Sequence, residues 1–160
     1  MILRHGLQVG AGDVDGDGID EILIGSAHVR DYKTYLTFLD FESESSIVQH
    51  EWFLPYVIGA RFGINIAAGD VNGDGVDEII TGPGPYEYSG CHLKVFNAGW
   101  ELLYGMFPYE YHFGLNVASG DMDGDGIYEV VVAPGPGEEY ESTVEVIDVL
   151  NGNGMEFTAF

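Results

Sequence analysis

The chain has 160 residues with an apolar fraction of 46%, enough to bury a core and too much for a disordered polymer. Its 27 acids against five bases give a formal net charge of -22, a surface that repels phosphate backbones and anionic lipid and so argues against nucleic-acid partners and membrane-surface binding. The same self-repulsion opposes a compact state unless cations sit among the carboxylates. The single cysteine, Cys91, allows no intrachain disulfide and reads as a small buried hydrophobe in a strand. The opening residues, Met1 to Gly6, lack the basic-then-apolar pattern of a secretion signal, and no run is long and apolar enough for membrane insertion. They read as the start of a trimmed export product or of an excerpt from something longer.

The sequence repeats itself. Arg4-His5-Gly6-Leu7 aligns with Arg61-Phe62-Gly63-Ile64 and with His112-Phe113-Gly114-Leu115, and each is followed at the same distance by Gly-Asp, at Gly12, Gly69 and Gly120. Three units result, spanning about residues 4–60, 61–111 and 112–160 of a single segment, 1–160.

In the first unit a small-residue strand, Val9 to Ala11, leads through an acidic loop into Glu21 to Ile24, whose continuous apolar character predicts a strand buried on both faces. Alternation over Tyr35 to Phe41 predicts a third strand, and the aromatic stretch from Ile47 to Phe53 a fourth. The second unit repeats the order as Ile66 to Ala68, Glu78 to Thr81, His92 to Phe96 and Leu102 to Phe107. The third gives Val117 to Ser119, Glu129 to Val132, Thr143 to Val149 and Met155 to Phe160. Turns rich in Gly, Pro, Asn and Asp join these runs, and no segment carries a helical period. The reading is all-β: three four-stranded antiparallel propeller blades, with small first strands crowded near a central axis. Hairpin pairs in an ordinary sandwich are the competing arrangement, but sandwiches seldom repeat so regularly.

The chemistry sits between the first and second strand of each unit. The loops run Asp13 to Glu21, Asp70 to Glu78 and Asp121 to Glu129, each with two glycines that let the backbone curl. Calcium takes six to eight oxygens at about 2.3–2.6 Å from carboxylates, carbonyls and water. Asp13, Asp15, Asp17 and Glu21 can supply side-chain oxygens and Ile19 a carbonyl; the corresponding sets are Asp70, Asn72, Asp74, Glu78 with Val76, and Asp121, Asp123, Asp125, Glu129 with Ile127. No histidine or cysteine lies in the loops, which disfavours zinc, and magnesium prefers stricter octahedral geometry. An EF-hand begins alike but needs a glutamate at its twelfth position, where this chain has Ile24, Thr81 or Val132, and helices on either side. Thirteen of the 27 acids lie in the three loops, so without cations the blades would push apart. Asn72 makes the second loop one charge poorer, and weaker calcium binding is expected there.

Phe-Gly, a short apolar strand, Gly-Asp and an Asp-x-Asp/Asn-Gly-Asp-Gly loop together resemble the FG-GAP repeat family, with His5 in place of the phenylalanine in the first unit. That family includes the propeller of integrin α-subunits and many bacterial surface proteins. The resemblance implies calcium loops on one rim of a propeller, extracellular or cell-surface placement, and adhesion or recognition. It also implies rings of more than three blades. Three leave two open edges, and the alignment of Phe157 to Phe160 with Phe53 to Tyr56 ends the sequence where another unit would begin. A fragment of a longer propeller and a subunit that joins copies of itself, into a ring or a filament, are both compatible with this.

Opposite the metal loops, the turns after the second strands gather Tyr32, Tyr86, Tyr88 and Tyr140, with Arg61, Tyr109, Tyr111 and His112 from the links between units. Such rings suit a protein or glycan ligand, although they also serve simply to cover loop backbone. The alternatives to a non-enzymatic recognition module are a structural subunit polymerising edge to edge and the propeller part of a calcium-dependent polysaccharide lyase. The last needs a base and clustered cations; Arg4, Arg30, Lys33, Arg61 and Lys94 are scattered, as are His5, His28, His50, His92 and His112, which read as surface or packing residues.

Overall fold

The computed structural model of the chain describes residues 6–27, 33–43, 46–56, 63–110, 112–137 and 142–158. Over these residues twelve strands form three four-stranded antiparallel sheets. The first holds β1 (Leu7–Gly12), β2 (Glu21–Ser26), β3 (Leu36–Ser43) and β4 (Ser46–Gln49) in sequence order. The second holds β5 (Ile64–Gly69), β6 (Glu78–Pro83), β7 (Cys91–Phe96) and β8 (Leu102–Tyr109), and the third β9 (Leu115–Gly120), β10 (Glu129–Pro134), β11 (Thr143–Asp148) and β12 (Asn153–Thr158). Each sheet is a meander and a propeller blade. Among the described residues no helix is long and apolar enough to cross a membrane.

The first strands lie side by side, β1 next to β5 and β5 next to β9, so the small residues predicted to crowd the axis do so. A Cβ added at Gly12 would come within 2.5 Å of Ala68 Cβ, and one at Gly69 within 2.5 Å of the Tyr128 ring. Only a bare α-carbon allows that approach. Side-chain bonds tie the same seam: Asn65 Nδ2 donates to the Leu115 carbonyl at 2.8 Å, and Ser119 Oγ donates to the Ala68 carbonyl.

The core lies between the sheets. Val14, Leu23, Phe38, Ile64, Ile79 and Phe96 close the seam between the first and second blades, and Val71, Val95, Leu115, Val130 and Ile147 belong to the cluster between the second and third. Tyr56 and Tyr109 act as matching clasps. Each follows a proline near the end of its unit and reaches the second strand of the next blade: the Tyr56 hydroxyl pairs with Thr81 Oγ1 at 3.2 Å and donates to the His92 carbonyl, and the Tyr109 hydroxyl donates to the Val132 carbonyl at 3.3 Å.

Two expectations change in detail. All six residues of β6 are buried, but β2 and β10 carry partly exposed residues among their buried ones, because an end blade is covered on one face and the middle blade on both. The fourth strand of the first unit, expected from Ile47 to Phe53, leaves the ladder after Gln49 and returns only as a bridge between Phe53 and Leu36. The detour sets the His50 ring 3.9 Å from that of Phe38, stacked on it. Cys91 is buried in β7 as expected, its thiol donating to the Gly114 carbonyl at 3.2 Å.

Candidate metal centres

Each loop connects the first strand of a blade to the second, and its shape comes from carboxylates folding back onto their own backbone. The Asp13 carboxylate accepts from the amides of Gly16 at 2.8 Å and Gly18 at 2.9 Å, Asp15 from Asp17 at 3.1 Å, and Asp17 from Ile19 at 2.8 Å. The third loop repeats this set, with Asp121 accepting from Gly124 and Gly126, Asp123 from Asp125, and Asp125 from Ile127. Such a curl needs left-handed backbone at both glycines, and φ is 79° and 90° at Gly16 and Gly18, 79° and 88° at Gly73 and Gly75, and 85° and 92° at Gly124 and Gly126.

The closing glutamate comes from the start of the second strand, which places it under the loop. Glu21 is buried, and its Oε2 accepts from the amides of Val14 at 2.9 Å and Asp15 at 3.3 Å while Oε1 has no partner. Burial pushes its carboxyl above the usual range, and the charges of Asp15 and Asp17 add to this against the amide bonds. Glu129 holds the Met122 amide at 2.8 Å in the same way. Carboxylate oxygens of Asp13, Asp15 and Asp17 lie within 4.8 Å of one another, as do those of Asp121, Asp123 and Glu129. An uncompensated buried carboxylate oxygen beside two further acids, in an all-oxygen donor set, suits a hard divalent cation.

The second loop differs by one atom type. Asn72 Nδ2 donates to Glu78 Oε1 at 2.7 Å and to Asp74 Oδ2 at 3.0 Å, so an amide nitrogen bridges the two carboxylates. Glu78 is nonetheless pushed up to about 7, first by burial and then by the charges of Asp74, Asp70 and Asp77.

The loops are also tied to one another, which sequence reasoning missed. The Asp77 amide donates to the Asp13 carbonyl at 2.9 Å, the Asp13 amide donates back to Asp77 Oδ2 at 3.1 Å, and the Tyr128 amide donates to the Asp70 carbonyl at 2.8 Å. The eighth loop position is thus the link to the preceding blade; in the second loop its signal was an acid in surplus of the five ligand positions, whereas the third loop has Tyr128 there. Asp40, on β3, was also missed, and its carboxylate lies within 4.8 Å of those of Asp15 and Glu21.

The expected ligand face is only partly assembled among the described residues. Tyr86 and Tyr88 meet edge to face at 5.6 Å, Tyr88 is exposed, and His112 is exposed. Tyr109 is instead buried as an interblade clasp, which its position two residues from an exposed aromatic did not reveal. His92 stacks on Phe107 at 4.1 Å, so it and His50 are packing residues. Lys94 donates to the Pro55 carbonyl at 2.7 Å and lies over the Tyr56 ring. Arg4, His5, His28, Arg30, Tyr32, Arg61, Phe62, Tyr111, Tyr140 and Phe160 lie outside the described residues.

The FG-GAP repeat family model matches residues 5–36 and 62–90, in each case taking in the glycine turn, the first strand, the metal loop and the second strand. The third blade repeats that register, with β9 and β10 paired from Leu115–Pro134 to Gly120–Glu129 just as β5 and β6 pair from Ile64–Pro83 to Gly69–Glu78. The first two of these three propeller-like blades thus match the FG-GAP repeat model, and the third repeats their strand register.

Proposed function

We propose that the chain is a calcium-binding, non-enzymatic recognition or adhesion module that works outside the cell. The observation that carries it is the partnerless Oε1 of buried Glu21 beneath a ring of aspartates, a group that calls for a cation. Asp13, Asp15, Asp17 and Glu21 with the Ile19 carbonyl would hold one ion. Asp70, Asn72, Asp74 and Glu78 with Val76, and Asp121, Asp123, Asp125 and Glu129 with Ile127, would hold two more. The ions would neutralise the loop charge; the binding surface for a protein or glycan partner would be the opposite face, around Tyr86 and Tyr88. Placement outside the cell is supported by the FG-GAP repeats and by the millimolar calcium found there, which fills loops of modest affinity. Lys94, held by Pro55 and Tyr56, is poorly placed to grip an acidic glycan, which favours this reading over a lyase.

Thermal unfolding with excess calcium and with chelator tests the reading. Each site filled to a hundred times its Kd adds about 2.7 kcal/mol, so melting should rise by more than ~10 °C with calcium. Equal melting temperatures in calcium and chelator would overturn it, and cleavage of polygalacturonate would restore the lyase.

A second reading, head-to-tail association of copies, is favoured by the two end faces. Leu7 is 48% exposed on the first blade, whereas its counterparts Ile64 and Leu115 are 1% and 0% exposed against a neighbouring blade. Met122 is 58% exposed on the third blade, whereas Val14 and Val71 are each 1% exposed. Each end blade therefore exposes an apolar residue whose counterparts are buried at the seams inside the chain. Light scattering should show a calcium-supported dimer or polymer that Leu7→Glu and Met122→Glu each dissolve; a monomer at high concentration would exclude it.

A further inference from the structure

The geometry points to a second divalent-cation position in the first blade, formed by Asp15, Glu21 and Asp40 and sharing Asp15 and Glu21 with the loop's own ion. It rests on the reading of the loops as calcium sites and goes beyond it, because Asp40 belongs to no loop. Two sets of carboxylate oxygens gather here, Asp13 with Asp15 and Asp17, and Asp15 with Glu21 and Asp40, each set within 4.8 Å. Asp40 is grouped with Asp15 and Glu21 and not with Asp13 and Asp17, so it extends the cluster away from the loop's leading aspartate.

The third strand explains why Asp40 is available. At the corresponding register the second blade has Asn97, whose Oδ1 accepts from the Glu101 amide at 3.0 Å, and the third has Asp148, which accepts from the amide and side chain of Asn151 at 2.9 and 2.6 Å. Both residues close the turn into the fourth strand. In the first blade β3 runs on to Ser43, eight residues against six in β7 and β11, so the turn falls beyond it and Asp40 stays in the ladder opposite Val48. There it is half-buried, beside a glutamate that is 0% exposed and whose Oε1 is unpartnered. Three carboxylates at this spacing, one of them removed from water, repel one another unless a positive charge sits between them. All three offer hard oxygens and no nitrogen or sulfur joins them, so the ion is of the calcium class.

Equilibrium dialysis with calcium, comparing the full chain with Asp40→Asn, tests the site. The variant should bind one ion fewer per chain, and in chelator it should melt above the parent because a repelling charge is gone. The same number of ions at unchanged affinity overturns the proposal. The same number with one affinity weakened about tenfold also overturns it, by making Asp40 a ligand of the loop ion. A parent chain that binds no calcium would refute the loop reading instead. Terbium anomalous scattering from crystals of the unaltered chain gives a check that needs no variant: two peaks beside Asp15 are expected, and a single peak at the loop overturns the second position.

Discussion

The first and second candidate metal loops have the same glycine geometry and the same buried glutamate, and their polar side chains differ only at Asp15 and Asn72. In the second loop the amide nitrogen of Asn72 reaches Glu78 and Asp74, so the loop supplies its own donor. In the first, a carboxylate in that place leaves Glu21 Oε1 without one. One loop satisfies the outer oxygen of its buried glutamate from within, and the other leaves it without a partner. On the calcium reading proposed above, this single oxygen-for-nitrogen exchange sets how far the folded state depends on metal.

The largest effect is expected from Asn72→Asp. Removing two hydrogen bonds to carboxylates and adding a charge should destabilise the chelated protein by about 2–3 kcal/mol, a fall of roughly 5–10 °C in melting temperature. Calcium should more than restore the loss, and calorimetry should show the second loop binding about tenfold tighter. No change in chelator would mean that the amide bridge contributes nothing. The reciprocal Asp15→Asn should raise chelated stability by about 1–2 kcal/mol and weaken calcium binding at the first loop about tenfold. If both variants move stability in the same direction, the two loops do not differ in the way their atoms suggest.

The smallest effect is a pH dependence. Glu78 holds its proton up to about 7 in the folded chain against an ordinary 4.5, so the folded state binds more protons in this window and stability rises as pH falls. Burial raises Glu21 and Glu145 in the same direction, and Glu156 adds to the latter. His92, lowered by burial, acts oppositely but only below its ordinary 6.5. Chelated protein should therefore melt a few degrees higher at about pH 6.5 than at about pH 8. Glu78→Gln should flatten that slope, and a slope of opposite sign would contradict the burial of these acids.

Much of this was legible beforehand. The recurrence of Gly-Asp and of the acidic loops marked the three blades, and the continuous apolar runs marked β2, β6 and β10, because a local pattern dictates a local strand. What depended on partners was not legible. That β6 is buried on both faces while β2 and β10 are not follows from which blade has two neighbours. Tyr109 looked like a surface aromatic because its partner, the Val132 carbonyl, lies in the next unit. In the metal loops the ligand positions could be counted from spacing, but Asp40 enters from another strand, and only the length of β3 puts it there. The amide bridge of Asn72 was visible as a missing charge and not as an added donor.

The main-chain link from Asp13 to Asp77, and from Asp70 to Tyr128, has a bearing on how the rim fills. The leading aspartate of each loop is the anchorage of the loop beyond, and an ion bound as proposed would fix it. On that reading each ion captured would lower the disorder its neighbour must still surrender, and occupancy would spread along the rim as a correlated event that stiffens the row of blades together.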